Sequence, residues 1–186
     1  MKTKFGIVGC GFLGNIVADA WKKGLLEDYE LVGVTSRTFA SAEKTAASVG
    51  CAACADVDAL LALEPEYIVE AASVEAVRAM AVPVLRRGVN LVVLSIGAFA
   101  DLAFYEEVKQ AAREGGAKVY VSVSNEGDTI PPEELPLVFD RFHKLDKSRS
   151  QNRDGWGLGL YIVKTIVCSH GEDISVTSRD GKTEFT

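Results

Sequence analysis

Histidine, methionine and tryptophan occur only twice each among 186 residues, and proline five times. With two histidines and no second Cys-x-x-Cys, the pair Cys51-Ala-Ala-Cys54 lacks the companions a structural zinc site needs. Four cysteines do not make a disulfide framework in a chain of this length, so Cys10, Cys51, Cys54 and Cys168 are expected as buried or half-buried thiols. No apolar run is long enough to span a bilayer, and Met1-Lys2-Thr3-Lys4 leads straight into a short strand rather than a leader peptide. The expected compartment is therefore the cytoplasm. Basic charge is also in deficit, 20 Lys and Arg against 26 Asp and Glu, which argues against nucleic acid or an anionic membrane as partner. What is present is an ordinary globular composition, 48% hydrophobic and 25% charged, sufficient for one domain or two small ones.

The first two thirds alternate between strand and helix signals. Residues 4–9 form a short apolar run ending in glycine, followed by a helix over 12–23 with Ile16, Val17, Ala20 and Trp21 on one face. Strands are predicted over 31–35, 67–70, 90–94 and 118–124, and helices over 41–49, 56–63, 74–87 and 101–114. Ser41 and Asp56 stand as helix openers, and Gly24, Gly88 and Gly115-Gly116 as stops. Such alternation implies a mostly parallel sheet with right-handed crossovers and helices on both faces. After Ser124 the rhythm changes. A helix is predicted from Pro132 to Phe142, a loop over 143–154, a helix over 158–169, and a closing hairpin turned at Asp180-Gly181.

Gly9-Cys10-Gly11-Phe12-Leu13-Gly14 lies between the first strand and the first helix, where a dinucleotide fingerprint belongs. Gly9 permits the tight turn, Gly11 admits a pyrophosphate to the backbone, and Gly14 lets helix and strand pack closely. The amides at the helix start, among them those of Phe12 and Leu13, face the anion. An acidic residue after the second strand would bond a ribose 2′-hydroxyl; the chain has Thr35-Ser36-Arg37-Thr38 instead. Hydroxyls and a guanidinium suit a 2′-phosphate, so NADP is expected over NAD, with Ser36 and Arg37 as its readers. Residues 1–121 resemble aspartate dehydrogenase, through the stretches 5–11, 67–73 and 94–101, and more distantly other Rossmann dehydrogenases such as homoserine dehydrogenase. The resemblance implies that Ala71, Ala72 and Ser73 border the nicotinamide side, with Ser95 to Ala98 nearby.

Residues 121–186 resemble the C-terminal half of the ATP-binding domain of sensor histidine kinases. Asn125 to Ile130 stand at the first glycine box, Phe139-Asp140-Arg141-Phe142 at the phenylalanine box, and Gly155-Trp156-Gly157-Leu158-Gly159-Leu160 at the second glycine box. Gly171, Ser175 to Ser178 and Gly181 to Phe185 match the close of that domain. Asn125, Gly127, Lys147, Arg149, Gly155, Gly157, Leu158 and Gly159 are the remnant of an ATP site that the resemblance implies. Asn125 replaces the aspartate that reads adenine, and the helix bearing the magnesium asparagine is not found.

Neither family's catalytic set is complete in these 186 residues: no substrate-domain histidine follows the first segment, and no phosphorylatable-histidine helix accompanies the second. The expectation is therefore a protein that binds a small-molecule nucleotide and is not an enzyme, with no metal site. The junction falls inside one strand, 118–124, whose Val119, Val121 and Val123 share a face, so the two segments are expected to share one core, with the hairpin extending the sheet edge. A splice within a strand suggests fragments recombined by design. Two classes stay open: a nicotinamide-dinucleotide-binding chimera, or a structural scaffold that takes an adenine nucleotide (ATP or ADP) through the second segment. The oligomeric state is not legible.

Overall fold

The computed structural model describes residues 2–145 and 156–186. It divides into two compact units, 1–121 and 122–186.

The first unit is an α/β fold around a six-stranded parallel sheet. Its strands are β1 (Thr3–Val8), β2 (Tyr29–Thr35), β3 (Ala52–Cys54), β4 (Tyr67–Glu70), β5 (Asn90–Val93) and β6 (Val119–Tyr120). They stand in the order β3-β2-β1-β4-β5-β6, with every pairing parallel. The connecting helices are α1 (Phe12–Lys22), α2 (Phe39–Val49), α3 (Val57–Leu61), α4 (Val74–Arg86) and α5 (Leu102–Gly115).

Alternation along each strand feeds two separate apolar clusters, one on each face of the sheet. Ile7, Leu31 and Val34 pack with Ala18, Ala42 and Ala46 of α1 and α2. Val8, Ile68, Leu91 and Val93 pack with Met80, Val84, Leu85, Val108 and Ala111 of α4 and α5. A doubly covered parallel sheet requires this arrangement.

Several local signals act as expected. Asp56 opens α3 by accepting from Ala59 N, and the helix predicted from Asp101 starts there, with Asp101 accepting from the amides of Ala103 and Phe104; Ser73, not named as a helix opener from the sequence, caps α4 in the same way through Ala76 N. Others are corrected. α2 opens at Phe39 rather than Ser41, because the chain turns helical directly behind the loop that follows β2. In α1, Gly14 and Ala18 take the buried face with Val17 and Trp21 beside them, whereas Ile16 is exposed; a glycine there lets the helix sit close on β1.

The second unit holds a three-stranded antiparallel sheet ordered β7-β9-β8, where β7 is Val123–Glu126, β8 Val176–Arg179 and β9 Lys182–Phe185. Asp180 and Gly181 both have positive φ, +50° and +77°, as the two-residue hairpin joining β8 to β9 demands. Helix α6 (Gly159–Ser169) and the hairpin close over Ile130, Val138 and Phe139, with Leu135, Leu160, Ile174, Val176 and Phe185 around them.

Two expectations fail in this segment. The helix predicted over 132–142 is a chain of three-residue turns, with amides of Glu134, Leu137 and Asp140 donating to the carbonyls of Pro131, Glu134 and Leu137. Pro136 has no N–H and disfavours helical φ/ψ at Leu135, which favours these turns over a regular α-helix here, although α4 does run through Pro83. Phe142, at the end of this stretch, is exposed with φ +64°, and Ile162, Val163 and Ile166 on the apolar face of α6 are exposed as well.

The single strand predicted over 118–124 is two strands in two sheets. β6 pairs with β5 only at Val119 and Tyr120, and the chain at Ser122 is already held to Thr186 through their hydroxyls, 2.7 Å apart. From Val123 onward it pairs antiparallel with β9 instead. The alternating serines explain the break: a doubly covered sheet cannot bury Ser122 and Ser124 without partners. The hairpin thus extends β7 rather than the parallel sheet, and each unit buries its own apolar cluster. Among the described residues no helix is long and apolar enough to cross a membrane.

Candidate functional site

The strand order reverses between β1 and β4, the place where an open parallel sheet leaves a crevice at the carboxyl ends of its strands. The fingerprint turn lies there. Gly9 has φ +107° and donates its amide to Thr35 O at 2.8 Å, tying the turn to the end of β2. A Cβ on Gly9 would lie 2.5 Å from Ala71 O, and one on Gly14 would lie 1.8 Å from Gly9 O. Both glycines are therefore required by the protein's own packing. Gly11 differs: a Cβ there would meet nothing within 4 Å. It caps α1, and no acidic residue occupies the first turn of that helix to oppose an anion. Phe12 and Leu13 are exposed beside it.

The turn is braced by residues the sequence pattern does not single out. Asn15 Nδ2 donates to Cys10 O at 3.1 Å, and Thr45 Oγ1 of α2 donates to Asn15 Oδ1 at 2.8 Å. Burial pushes the Cys10 thiol up, and pushes Cys51 up to about 11. These thiols stay protonated at neutral pH and are poor metal ligands or nucleophiles. All four cysteines are free, and no cluster of metal-ligating side chains forms among the described residues.

Ser36 and Arg37 follow β2 on the same side of the sheet as Gly9, with Ser36 half-buried and Arg37 exposed. Arg37 has no ion pair or hydrogen bond among the described residues, so its guanidinium is available to a ligand. Ala71, Ala72 and Ser73 leave β4 next to the glycine turn, and Ser95 leaves β5. The structure thus brings Gly9, Gly11, Phe12, Leu13, Gly14, Ser36, Arg37, Ala71, Ala72, Ser73 and Ser95 to one end of one sheet.

One residue of this rim was missed. Glu70, the last of β4, is fully buried. Its Oε1 accepts from Ala72 N at 2.7 Å, Ser73 N at 3.0 Å and Ser95 Oγ at 2.9 Å, and its Oε2 from Ser95 N at 3.0 Å. An acidic residue closing a strand reads as solvated; the only sequence signal against that is the apolar run on either side of it.

The second set is less assembled. Asn125 is exposed on β7 opposite Thr183. Gly127 donates to Gly181 O at 2.8 Å, so its amide is used within the sheet's turn region. A Cβ on Gly157 would lie 2.7 Å from His143 O, and Phe142 donates to Gly157 O at 2.9 Å; packing against 142–143 accounts for that glycine. Leu158 caps α6 without a side-chain hydrogen bond and Gly159 begins it. No hydrogen bond joins Asn125 to 157–159 among the described residues. Lys147, Arg149 and Gly155 lie outside the described residues. Nearby, the Arg141 guanidinium stacks on the Tyr161 ring at 4.4 Å and donates to its hydroxyl, which holds the phenol below its usual range.

Two families match the chain, over stretches that overlap at residues 95–122. Residues 9–122 match the family described as "Homoserine dehydrogenase, NAD binding domain". Residues 95–186 match the family described as "Histidine kinase-, DNA gyrase B-, and HSP90-like ATPase". L-aspartate dehydrogenase of Methanocaldococcus jannaschii is 30% identical over 118 residues, 63% of this chain and 44% of the relative. The sensor protein CzcS of Cupriavidus metallidurans is 47% identical over 75 residues, 40% of this chain and 16% of the relative. Among solved structures, the WlbA dehydrogenase of Bordetella pertussis in complex with NADH and UDP-GlcNAcA aligns with TM-score 0.56 at 21% identity, covering 65% of this chain and 37% of that one. The chain therefore spans less than half the length of these three relatives.

These relatives correct the expectation of a non-enzyme: the curated match to the first segment is a named dehydrogenase, and the one to the second is a sensor protein matched through an ATPase segment. Both point to enzyme families. The chain carries a Rossmann segment of the NAD-binding kind followed by a histidine-kinase-like ATPase segment, and by the match over 9–122 it belongs to the family of homoserine dehydrogenase NAD-binding domains.

Proposed function

We propose that residues 1–121 bind a nicotinamide dinucleotide across the β1–β4 crevice and prefer the 2′-phosphorylated form. The observation that carries this reading is the contrast among the three glycines. Gly9 and Gly14 are closed off by the protein, whereas Gly11 keeps an open side at the start of α1, where a pyrophosphate can meet unblocked amides. The 71–73 and 95–98 segments border the nicotinamide half. The nicotinamide, when bound, supplies or accepts a hydride; the protein's part is to bind and orient it.

The preference for NADP rests on Arg37, which is exposed at the loop after β2 and without a partner among the described residues, and on the lack of a carboxylate at that loop. A charge-assisted hydrogen bond from a guanidinium contributes about 1.5–3 kcal/mol, which converts to roughly 10- to 150-fold in affinity. Calorimetric titration of both cofactors tests this. Arg37→Ala is expected to weaken NADP at least about tenfold and to leave NAD within about twofold. Tighter binding of NAD by the unaltered protein sinks the role of Arg37; binding of neither sinks the site.

The same reading takes the chain as a recombination of fragments from two families. It is supported by separate sets of relatives for the two segments and by the change of sheet between Tyr120 and Val123.

A further inference from the structure

We infer that Glu70 is a positioning residue that sets the nicotinamide half of the crevice separately from the adenosine half; this rests on the dinucleotide-binding reading above. Four donors converge on one fully buried carboxylate: three backbone amides and one hydroxyl. They come from two different crossover segments. Ala72 and Ser73 lead into α4, where Ser73 Oγ in turn accepts from Ala76 N at 3.2 Å. Ser95 leads into the 3-10 turn of Ile96–Ala100. The backbone at this point adds its own links, Ala71 N to Val8 O at 2.8 Å and Leu94 N to Glu70 O at 3.1 Å.

The convergence has a specific consequence. A parallel sheet fixes strands up to their last ladder bond and leaves the loops beyond free to diverge. Here β4 and β5 end side by side, with Glu70 paired to Val93. The Glu70 side chain carries the connection one step past the sheet, so segments 71–73 and 95–98 take one fixed separation. That separation is the width of the nicotinamide side. The first of these segments also touches the fingerprint turn, because Ala71 O and Ala72 Cβ are the atoms a Cβ on Gly9 would strike. The adenosine side, built by Gly11, Ser36 and Arg37, has no hydrogen bond to Glu70.

A carboxylate is required rather than an amide. All four partners are donors, and Oε1 alone accepts three of them. In Glu70→Gln the Oε1 position still accepts, but an NH2 group at the other position faces Ser95 N, donor against donor. The 95–98 segment must then shift while strand β4 keeps its place.

The test compares two ligands on the full chain: NADP, which occupies the whole crevice, and 2′,5′-ADP, which lacks the nicotinamide half. Glu70→Gln is expected to weaken NADP about tenfold or more and to change 2′,5′-ADP by less than about threefold. Ser95→Ala removes one of the four donors and leaves three amides on the carboxylate. It is expected to shift NADP affinity in the same direction by about threefold, and it keeps the test decisive if the glutamine variant does not fold. Equal weakening of both ligands, or none in either variant, overturns the positioning role and makes Glu70 a fold anchor only. Failure of the unaltered protein to bind either ligand overturns the dinucleotide reading and this inference with it; binding of 2′,5′-ADP by all three proteins with an unchanged NADP affinity overturns this inference alone.

Discussion

Gly14→Ala is expected to remove dinucleotide binding and to destabilise the first unit by about 3 kcal/mol, the upper end for overpacking, because the new methyl meets backbone rather than side chain. Its Cβ would lie 1.8 Å from Gly9 O and 2.9 Å from Gly9 C. No rotamer change relieves that contact; α1 must move away from β1 and carry its amide end out of the crevice. Gly11→Ala makes the complementary case. Its backbone, φ −82° and ψ −159°, is one alanine adopts freely, and its Cβ would meet nothing within 4 Å. The expected cost in stability is under about 1 kcal/mol, from the poorer helix cap. Dinucleotide affinity should nonetheless fall about tenfold or more, since the methyl fills the side from which the pyrophosphate approaches. Thermal unfolding and calorimetric titration of both variants separate the two roles. Native stability in Gly14→Ala would show that the helix–strand junction is not close-packed. Native affinity in Gly11→Ala would show that no ligand passes over that glycine.

The fingerprint was readable because its logic is local. Six residues decide the turn, the close approach and the helix start, and each acts on neighbours within the same strand–helix unit. The caps at Asp56 and Asp101 and the Asp180-Gly181 hairpin are legible for the same reason. What was not legible depends on partners far along the chain. β3 is Ala-Ala-Cys, with no β-branched residue, and is a strand only because Gly33, Val34 and Thr35 of β2 lie alongside it. Glu70 looks like a surface acid until Ser95, 25 positions on, is brought to its carboxylate. Leu135, Val138, Phe139 and Phe142 have helical spacing, and that pattern hides the effect of Pro136. The valines at 119, 121 and 123 alternate without interruption, and alternation identifies a strand but not the sheet it joins. The break is visible only in the pairing, where Leu91 and Val92 take Val119 and Tyr120 while Phe185 takes Val123.

That break leads to the second large effect. If each unit stands on its own apolar cluster, Leu91→Asp should abolish the protected fold of residues 1–121 and leave the amides of β7, β8 and β9 protected. Leu91 is fully buried in β5, between Ile68 of β4 and Val119 of β6. Aspartate there loses the leucine packing, about 2–5 kcal/mol, and places an unpaired charge in the core at several kcal/mol more. The sum exceeds the stability of an ordinary small domain, about 5–15 kcal/mol, at its lower end and approaches it elsewhere. Phe139→Ala is the reciprocal change. Phe139 is buried with Ile130 and Val138 and meets Phe185 edge-on at 6.1 Å, so its truncation should cost the second unit about 3–5 kcal/mol. Val121→Asp, which a shared strand would make the most damaging of all, falls between β6 and β7 at a residue 36% exposed and should cost about 1 kcal/mol or less. Hydrogen exchange resolved by segment distinguishes the outcomes. Loss of protection confined to 1–121 in Leu91→Asp and to 122–186 in Phe139→Ala supports separate cores. Loss throughout the chain from either change, or from Val121→Asp, would restore the single shared core that the alternating valines suggest.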